Sequence, residues 1–339
     1  MTGRRALFRP RRPLRWCGRG AALGAALAVA ACAPQRTALP AAPVPAGDVI
    51  RVAATPVAEH PAGPPTGEGS RFAYAGGLEL SSADTSRFHG LSDLEVFDDD
   101  RFVAITDEGD IVRGRLALDS AGRLTGVSDV TLKPVLGADG RPLSGAKADS
   151  DIEALAVFPN GDMLLGFERN HRIWLYPAAG GPPRAVPSPD APFPANDGME
   201  ALAVAPEHGP DAYLAGREDT RETWICRLSA ACVPHIRIAG DYPRSLVAAR
   251  GLPGGRWAFL LRDYSPAIGN TITVLIADRE GRPIDRHDIR RPSTVDNFEG
   301  VAVRPRPDGS VRVYILSDDN FSTGQRTLLL AFDWTPPAP

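Results

Sequence analysis

Residues 48–335 predict an all-β fold of repeated four-stranded sheets, and three observations carry that prediction. The first is a recurring unit: residues 152–168 read IEALAVFPNGDMLLGFE, 199–218 read MEALAVAPEHGPDAYLAGRE and 298–318 read FEGVAVRPRPDGSVRVYILSD. Weaker copies stand at 91–107 and 244–263. Each is a short apolar strand, a turn rich in Pro, Gly, Asn or Asp, and a second strand closing on an acid. The second observation is that strand-forming segments follow these units, at 171–176, 223–228, 271–277 and 327–334, while no ten residues keep a helical stripe. The third is composition: 34 Gly and 33 Pro among 339 residues favour a turn-dense chain over a helical one. A four-stranded unit of about 45 residues cannot cover both its faces alone, and radial stacking solves this. The expected fold is a β-propeller of five or six four-stranded blades. Its ring is closed by strands near Val49 and at 72–80 pairing with the C-terminal strand. A β-sandwich supplies no reason for the recurring glutamate.

The chain opens on an address. Residues 1–31 carry seven arginines and no acid, followed from Gly20 by a twelve-residue apolar run, too short to span a bilayer. Val29-Ala30-Ala31-Cys32 resembles a bacterial lipobox, which implies cleavage before Cys32 and its lipidation; Ala33 in place of Asp points to the outer membrane. The expected arrangement is a signal peptide at 1–31, an Ala/Pro-rich tether at 32–47, and a propeller held at the periplasmic side of the outer membrane by lipid alone. Without the leader the balance is 31 basic against 41 acidic residues, a net charge of about −10, and this excludes nucleic acid as a partner. The propeller is expected to be a monomer.

Val49-Ile50-Arg51-Val52 reads as a short strand, followed by a Pro/Gly-rich loop at 61–69. Once Cys17 leaves with the leader and Cys32 takes lipid, Cys226 and Cys232 remain. They stand on the two arms of a predicted hairpin, within reach of a disulfide in an oxidising compartment. No additional Cys or suitably spaced His accompanies them, which disfavours zinc.

The recurring polar residue has a geometric meaning. The first strand of every blade lines the central channel, so equivalent positions point at one axis. Aligned by residue type, the repeats place Ser92, Glu153, Glu200, Ser245 and Glu299 there, and collect the second-strand acids Asp107, Glu168, Glu218, Asp263 and Asp318 at one mouth. Carboxylates gathered in this way repel, raise one another's pKa, or bind a cation. Oxygen-only donors favour a hard ion, Ca²⁺ above all, with Glu153, Glu200, Glu299, Asp107, Glu168 and Asp318 as metal ligands.

Several blocks resemble the phytase-like propeller family, described as having esterase-like activity of phytase. They are Arg87-Phe88-His89-Gly90-Leu91-Ser92-Asp93-Leu94, Thr106-Asp107-Glu108-Gly109, Asp151-Ile152-Glu153-Ala154-Leu155, Phe167-Glu168-Arg169, Asn196-Asp197-Gly198-Met199-Glu200-Ala201-Leu202, and Phe298-Glu299-Gly300 with Ser317-Asp318-Asp319-Asn320-Phe321. The resemblance implies acids that bind metal and support phosphoester hydrolysis. The chain departs from the family pattern at Asp93, Ala154 and Ala201, where Gly is usual, and at Arg262-Asp263, where Glu-Arg is usual.

Three functions fit these residues. A calcium-dependent phosphoester hydrolase would use Arg169, Arg217 and Arg262 to clamp phosphate oxygens and His171 as proton donor. A metal-dependent lactonase or arylesterase uses the same frame. A non-catalytic binding platform with a structural cation is the third. With only two lysines, Lys133 and Lys147, the chain suits a small phosphoester or lactone better than a highly phosphorylated substrate. No G-x-S-x-G or H-E-x-x-H occurs, and Gly140–Lys147 fails as a phosphate loop at Ala146-Lys147. Residues 136–150 read as a loop entering the second repeat near a channel mouth, as a lid or as a plain connection.

Overall fold

Strand β1 (Ala53–Pro56) and strand β2 (Phe72–Ser81) precede four antiparallel sheets in which chain order and spatial order coincide. The computed structural model describes residues 49–60, 71–143, 147–194, 198–239 and 244–337. The leader, Cys32 and the tether lie outside them, as do Asn196 and Asp197. Blade 1 is β3 (Leu91–Val96), β4 (Arg101–Thr106), β5 (Asp110–Leu118) and β6 (Leu124–Pro134). Blade 2 is β7 (Ile152–Val157), β8 (Met163–Phe167), β9 (Arg172–Tyr176) and β10 (Arg184–Val186). Blade 3 is β11 (Met199–Val204), β12 (Ala212–Arg217), β13 (Glu222–Arg227) and β14 (Ala230–Arg237). Blade 4 is β15 (Ser245–Leu252), β16 (Arg256–Ser265), β17 (Gly269–Ala277) and β18 (Pro283–Ile289). The last repeat supplies β19 (Asn297–Pro305), β20 (Val311–Asp318) and β21 (Thr327–Trp334).

Blade 5 is completed by the other end of the chain. Strand β2 pairs antiparallel with β21, Leu78 opposite Leu329 and Phe72 opposite Trp334, and β1 adds a fifth strand outside it. The predicted strand at Val49–Val52 is displaced: the ladder starts at Ala53, while Val49 forms an isolated bridge to Thr131 and the Ile50 amide donates to the Val130 carbonyl at 2.9 Å. The N-terminal segment thus touches blade 1 before joining blade 5. The blade number is five, and no sixth sheet forms among the described residues.

The innermost strands make a closed circuit, β3 against β7, β7 against β11, β11 against β15, β15 against β19 and β19 against β3. Apolar side chains on both faces of each sheet explain this. Every blade boundary has its own buried cluster, such as Val103, Ile105, Leu155 and Phe167 between blades 1 and 2, or Val247, Leu260, Val313 and Trp334 between blades 4 and 5. At about 25 cal/mol per Å² of apolar surface buried, contact between neighbours is what holds sheets that have no other cover. Regular helix among the described residues is one turn, α1 (Lys147–Ser150), and a 3₁₀ turn at Pro206–His208. No helix among them is long and apolar enough to cross a membrane.

The disulfide forms between Cys226 of β13 and Cys232 of β14, with Cα atoms 3.9 Å apart. Cys226 is fully buried against the blade 2–3 boundary, so the bridge fixes the outer hairpin of blade 3 to its core.

Candidate functional site: an acidic axial chamber

Each innermost strand slips by one residue against its partner near the same channel mouth. The slips fall between Leu91 and Asp93, Ile152 and Ala154, Met199 and Ala201, Leu246 and Ala248, and Phe298 and Gly300. The extra residue of a β-bulge leaves the ladder and its side chain is re-aimed. Those residues are Ser92, Glu153, Glu200, Val247 and Glu299. Opposite the residue before each bulge stand Thr106, Phe167, Arg217, Leu261 and Ser317, and the next residues are Asp107, Glu168, Glu218, Arg262 and Asp318.

This register corrects two expectations in blade 4. Ser245 pairs with Arg262 and precedes the bulge by two residues, so Val247 holds the place that Glu153 holds in blade 2. Asp263 lies one residue past the second-strand position, which belongs to Arg262. Matching by residue type aligned the hydroxyl and the acid; hydrogen bonding aligns the valine and the arginine. Blades 1, 2, 3 and 5 therefore carry acids or a hydroxyl at these two positions, and blade 4 carries a buried valine and an arginine.

The predicted acids are neighbours. Burial, with repulsion from Glu299, Asp107, Asp151 and Glu200, pushes Glu153 well above the usual carboxylate range. Glu200 is raised by burial and by Glu218, Glu299 and Glu168, while Arg262 pulls it down. Burial, Glu299 and Asp107 raise Asp318. Asp107 and Glu168 are each pushed up to about 7, mainly by burial. Residues spread along 212 positions of chain, from Asp107 to Asp318, thus share one electrostatic site.

The chain supplies its own counter-charges. Arg262 donates to Glu299 and, at 2.8 Å, to Asn297 Oδ1, with Glu218 at 3.7 Å. Lys147 donates to Asp107 and to Asp151 Oδ1 at 2.6 Å. Arg169 donates to the other oxygen of Asp151 at 2.6 Å, from a left-handed backbone with φ of 57°. Its terminal nitrogens make no hydrogen bond among the described residues. Arg217 is committed elsewhere: its Nε and one terminal nitrogen donate to Asp219, at 2.5 and 2.9 Å. His171 has Nε2 against the Pro194 carbonyl at 2.8 Å, and its buried Nδ1 has no partner among the described residues. A Cβ on Gly198 would meet both Glu168 and His171 at 3.0–3.2 Å, which places these two side chains together.

Among the described residues, three carboxylates stand close enough together to hold a cation. Asp107, Asp151 and Glu153 each offer an oxygen within 4.8 Å of the others. Asp107 is 6% exposed and its Oδ1 has no hydrogen-bond partner among the described residues. That oxygen packs over Gly90, where a Cβ would lie 2.2 Å away and where φ is +61°. An all-oxygen donor set with a buried, unused oxygen fits a hard divalent cation. Asp151 and Lys147 were not singled out from sequence as site residues. Asp151 had a signal, since it stands two residues before Glu153 as Asn297 stands two before Glu299.

A second network joins the innermost strands further from the bulges. Arg250 of blade 4 donates to Asp93 Oδ1 of blade 1 at 2.9 Å and to the Leu202 carbonyl of blade 3 at 3.0 Å, and lies 3.1 Å from Glu95. The other Asp93 oxygen accepts from the Leu155 amide of blade 2 at 3.0 Å. Four blades are tied across the axis at this level. A cavity of about 560 Å³ adjoins this network, lined by Phe97, Phe158, Met163 and Arg113 among others.

Five sheets around a central channel, with acids gathered near the bulges, define a β-propeller with an acidic axial chamber. The chain belongs to the phytase-like family, described as having esterase-like activity of phytase, whose profile matches residues 86–321. Similar solved structures include a gluconolactonase from Xanthomonas campestris, with TM-score 0.43 and 14% identity over 76% of this chain and 79% of that one. The major allergen Mala s 1 of Malassezia sympodialis gives TM-score 0.44 and 14% identity over 77% and 87%. A calcium-binding regucalcin from Agrobacterium tumefaciens gives 0.42 and 14% over 81% and 90%. No curated protein matches the sequence significantly.

Proposed function

We propose that the protein is a cation-dependent phosphoester hydrolase working at the axial chamber. The observation that carries this reading is the convergence of Asp107, Asp151 and Glu153, with a buried unpartnered oxygen among them, beside Glu200, Glu299 and Asp318. Asp107, Asp151 and Glu153 would hold the cation, Ca²⁺ by its preference for oxygen donors. When bound, it supplies charge neutralisation at the phosphate and a lower pKa for an attacking water. The remaining chemistry belongs to side chains. Arg169, fixed through Nε to Asp151, has terminal nitrogens with which to orient a phosphate oxygen. Glu168, held near 7, can accept or return a proton at neutral pH, with His171 beside it. Arg262 is a positioning residue here, since its guanidinium is committed to Glu299 and Asn297.

A second reading has its own support: Lys147 and Arg262 neutralise the chamber from within, as a non-catalytic platform would require. Assays of the purified protein on p-nitrophenyl phosphate, bis(p-nitrophenyl) phosphate and a lactone, with chelator and with Ca²⁺, separate the readings. Phosphoester turnover lost to chelator and restored by Ca²⁺ is the expected result. Turnover of the lactone alone would replace phosphoester by lactone chemistry. Inactivity on all three with cation-dependent melting would favour the platform.

We also propose that Cys32 is lipidated and that the propeller resides in the periplasm at the outer membrane. The Cys226–Cys232 disulfide supports an oxidising compartment. Labelling with radioactive palmitate, abolished by Cys32→Ser, is the check.

A further inference from the structure

The chamber contains one of the two lysines in the whole chain, delivered from the connection between blades 1 and 2. Lys147 opens the single turn of α1, and its Nζ lies between Asp107 and Asp151, 2.6 Å from Asp151 Oδ1. Its side chain is 22% exposed, so the ammonium has exchanged most of its water for carboxylates. Glu153 adds attraction from the same side. These are the three residues whose oxygens lie within 4.8 Å of one another. A hard cation wants six to eight oxygens around it, and two of the carboxylates needed are already donated to. An ammonium a few ångströms from a divalent ion in a poorly hydrated chamber is strongly repelled. Both charges cannot stay.

We infer that Lys147 is a tethered counter-cation of the chamber, and that a divalent cation binds Asp107, Asp151 and Glu153 by exchanging with its ammonium. This rests on the cation reading given above. Lys147 is then the residue that sets the affinity. It keeps the carboxylates apart from one another's repulsion while no ion is bound, and it raises the concentration of cation needed to displace it. Arg169 does not take the same part, because it holds Asp151 from the mouth by a different oxygen and contacts neither Asp107 nor Glu153 by hydrogen bond among the described residues.

The experiment measures Ca²⁺ binding by calorimetry, and melting in chelator, for the purified full chain in detergent. Lys147→Met removes the charge and keeps the length; Lys147→Arg keeps the charge. The expected result is a Kd about tenfold lower or better for Lys147→Met, near-wild-type binding for Lys147→Arg, and a lower melting temperature for Lys147→Met in chelator that Ca²⁺ restores. Equal Kd values for wild type and Lys147→Met would overturn the exchange while leaving the cation site standing. Weaker binding by Lys147→Met would also overturn it, making Lys147 a support for the ligands. Destabilisation of Lys147→Met in chelator with no calcium binding by any of the proteins would overturn the exchange together with the cation reading, and leave Lys147 a fixed counter-ion.

Discussion

Arg262→Met tests whether the odd blade neutralises the other four. In the native chamber the guanidinium bonds Glu299 and Asn297, approaches Glu218 at 3.7 Å and lowers Glu200. Methionine fills much of the same volume and leaves these carboxylates without their cation. Breaking a buried pair by removing one partner costs about 3–5 kcal/mol. The Arg262 side chain is 18% exposed, so the lower end, about 3 kcal/mol, is appropriate. With an unfolding entropy of about 2.1 cal/mol/K per residue over about 290 residues, that lowers the melting temperature by about 5 °C. The pH dependence is specific. Glu200 is already raised, and losing Arg262 raises it further, so the folded state is penalised increasingly as pH climbs above the unfolded carboxylate value. Thermal melts in chelator at pH 8 and pH 5 should show the full loss at pH 8 and a smaller one at pH 5. A loss under 1 °C at pH 8, or one equal at both pH values, would refute the assignment of Arg262 as the axial counter-ion.

Glu153→Gln with Glu200→Gln should remove calcium-induced thermal stabilisation while leaving the far-ultraviolet dichroism of a β protein; an unchanged calcium response would show that neither is a ligand. The wild type in chelator should melt higher at pH 5.5 than at pH 8, because Asp107 and Glu168, raised to about 7, bind protons in the folded state that the unfolded chain has released. A flat profile over this range would contradict the shared electrostatic site. Gly90→Ala should weaken calcium binding and cost about 1–2 kcal/mol in urea melts, through its left-handed backbone and the Asp107 oxygen 2.2 Å from the new Cβ. Cys226→Ala with Cys232→Ala should cost about 2 kcal/mol, the loop closed being short, with the same loss produced in wild type by reductant.

The sequence made the architecture readable because the repeat is strongest where packing is most demanding. The copies at 152–168, 199–218 and 298–318 each place a bulge glutamate among buried apolar residues, and radial stacking buries both faces of such sheets. Blade 4 departs from the repeat by register and not by chemistry. Ser245 and Asp263 fit the expected chemistry, but register is a property of hydrogen-bond partners, and offsets of two residues on β15 and one on β16 leave no mark on residue type. Asp93, a departure from the family glycine, meets Arg250 across 157 positions of sequence, a pairing that no local pattern announces. Lys147 had no periodic signal at all, since it comes from a connection and not from a repeated strand. What the strands repeat could be read; what single loops and single blades contribute had to be seen in space.

Blade 5 has a consequence for how the molecule comes into being. Its outer half, β2, is made near the start of synthesis, and β21, the neighbour it needs, is finished only when Thr327–Trp334 has emerged. Four sheets can zip up locally as the polypeptide lengthens, but the fifth must wait, with Leu78 and Leu80 lacking their ladder neighbours Leu329 and Thr327 until the end. Contacts so distant along the chain are slow to form. An exposed, unpaired ribbon of that kind is a target for holdase chaperones and for misassociation between nascent copies. Ring closure, not sheet formation, is therefore the step that joins the two most distant parts of the ladder.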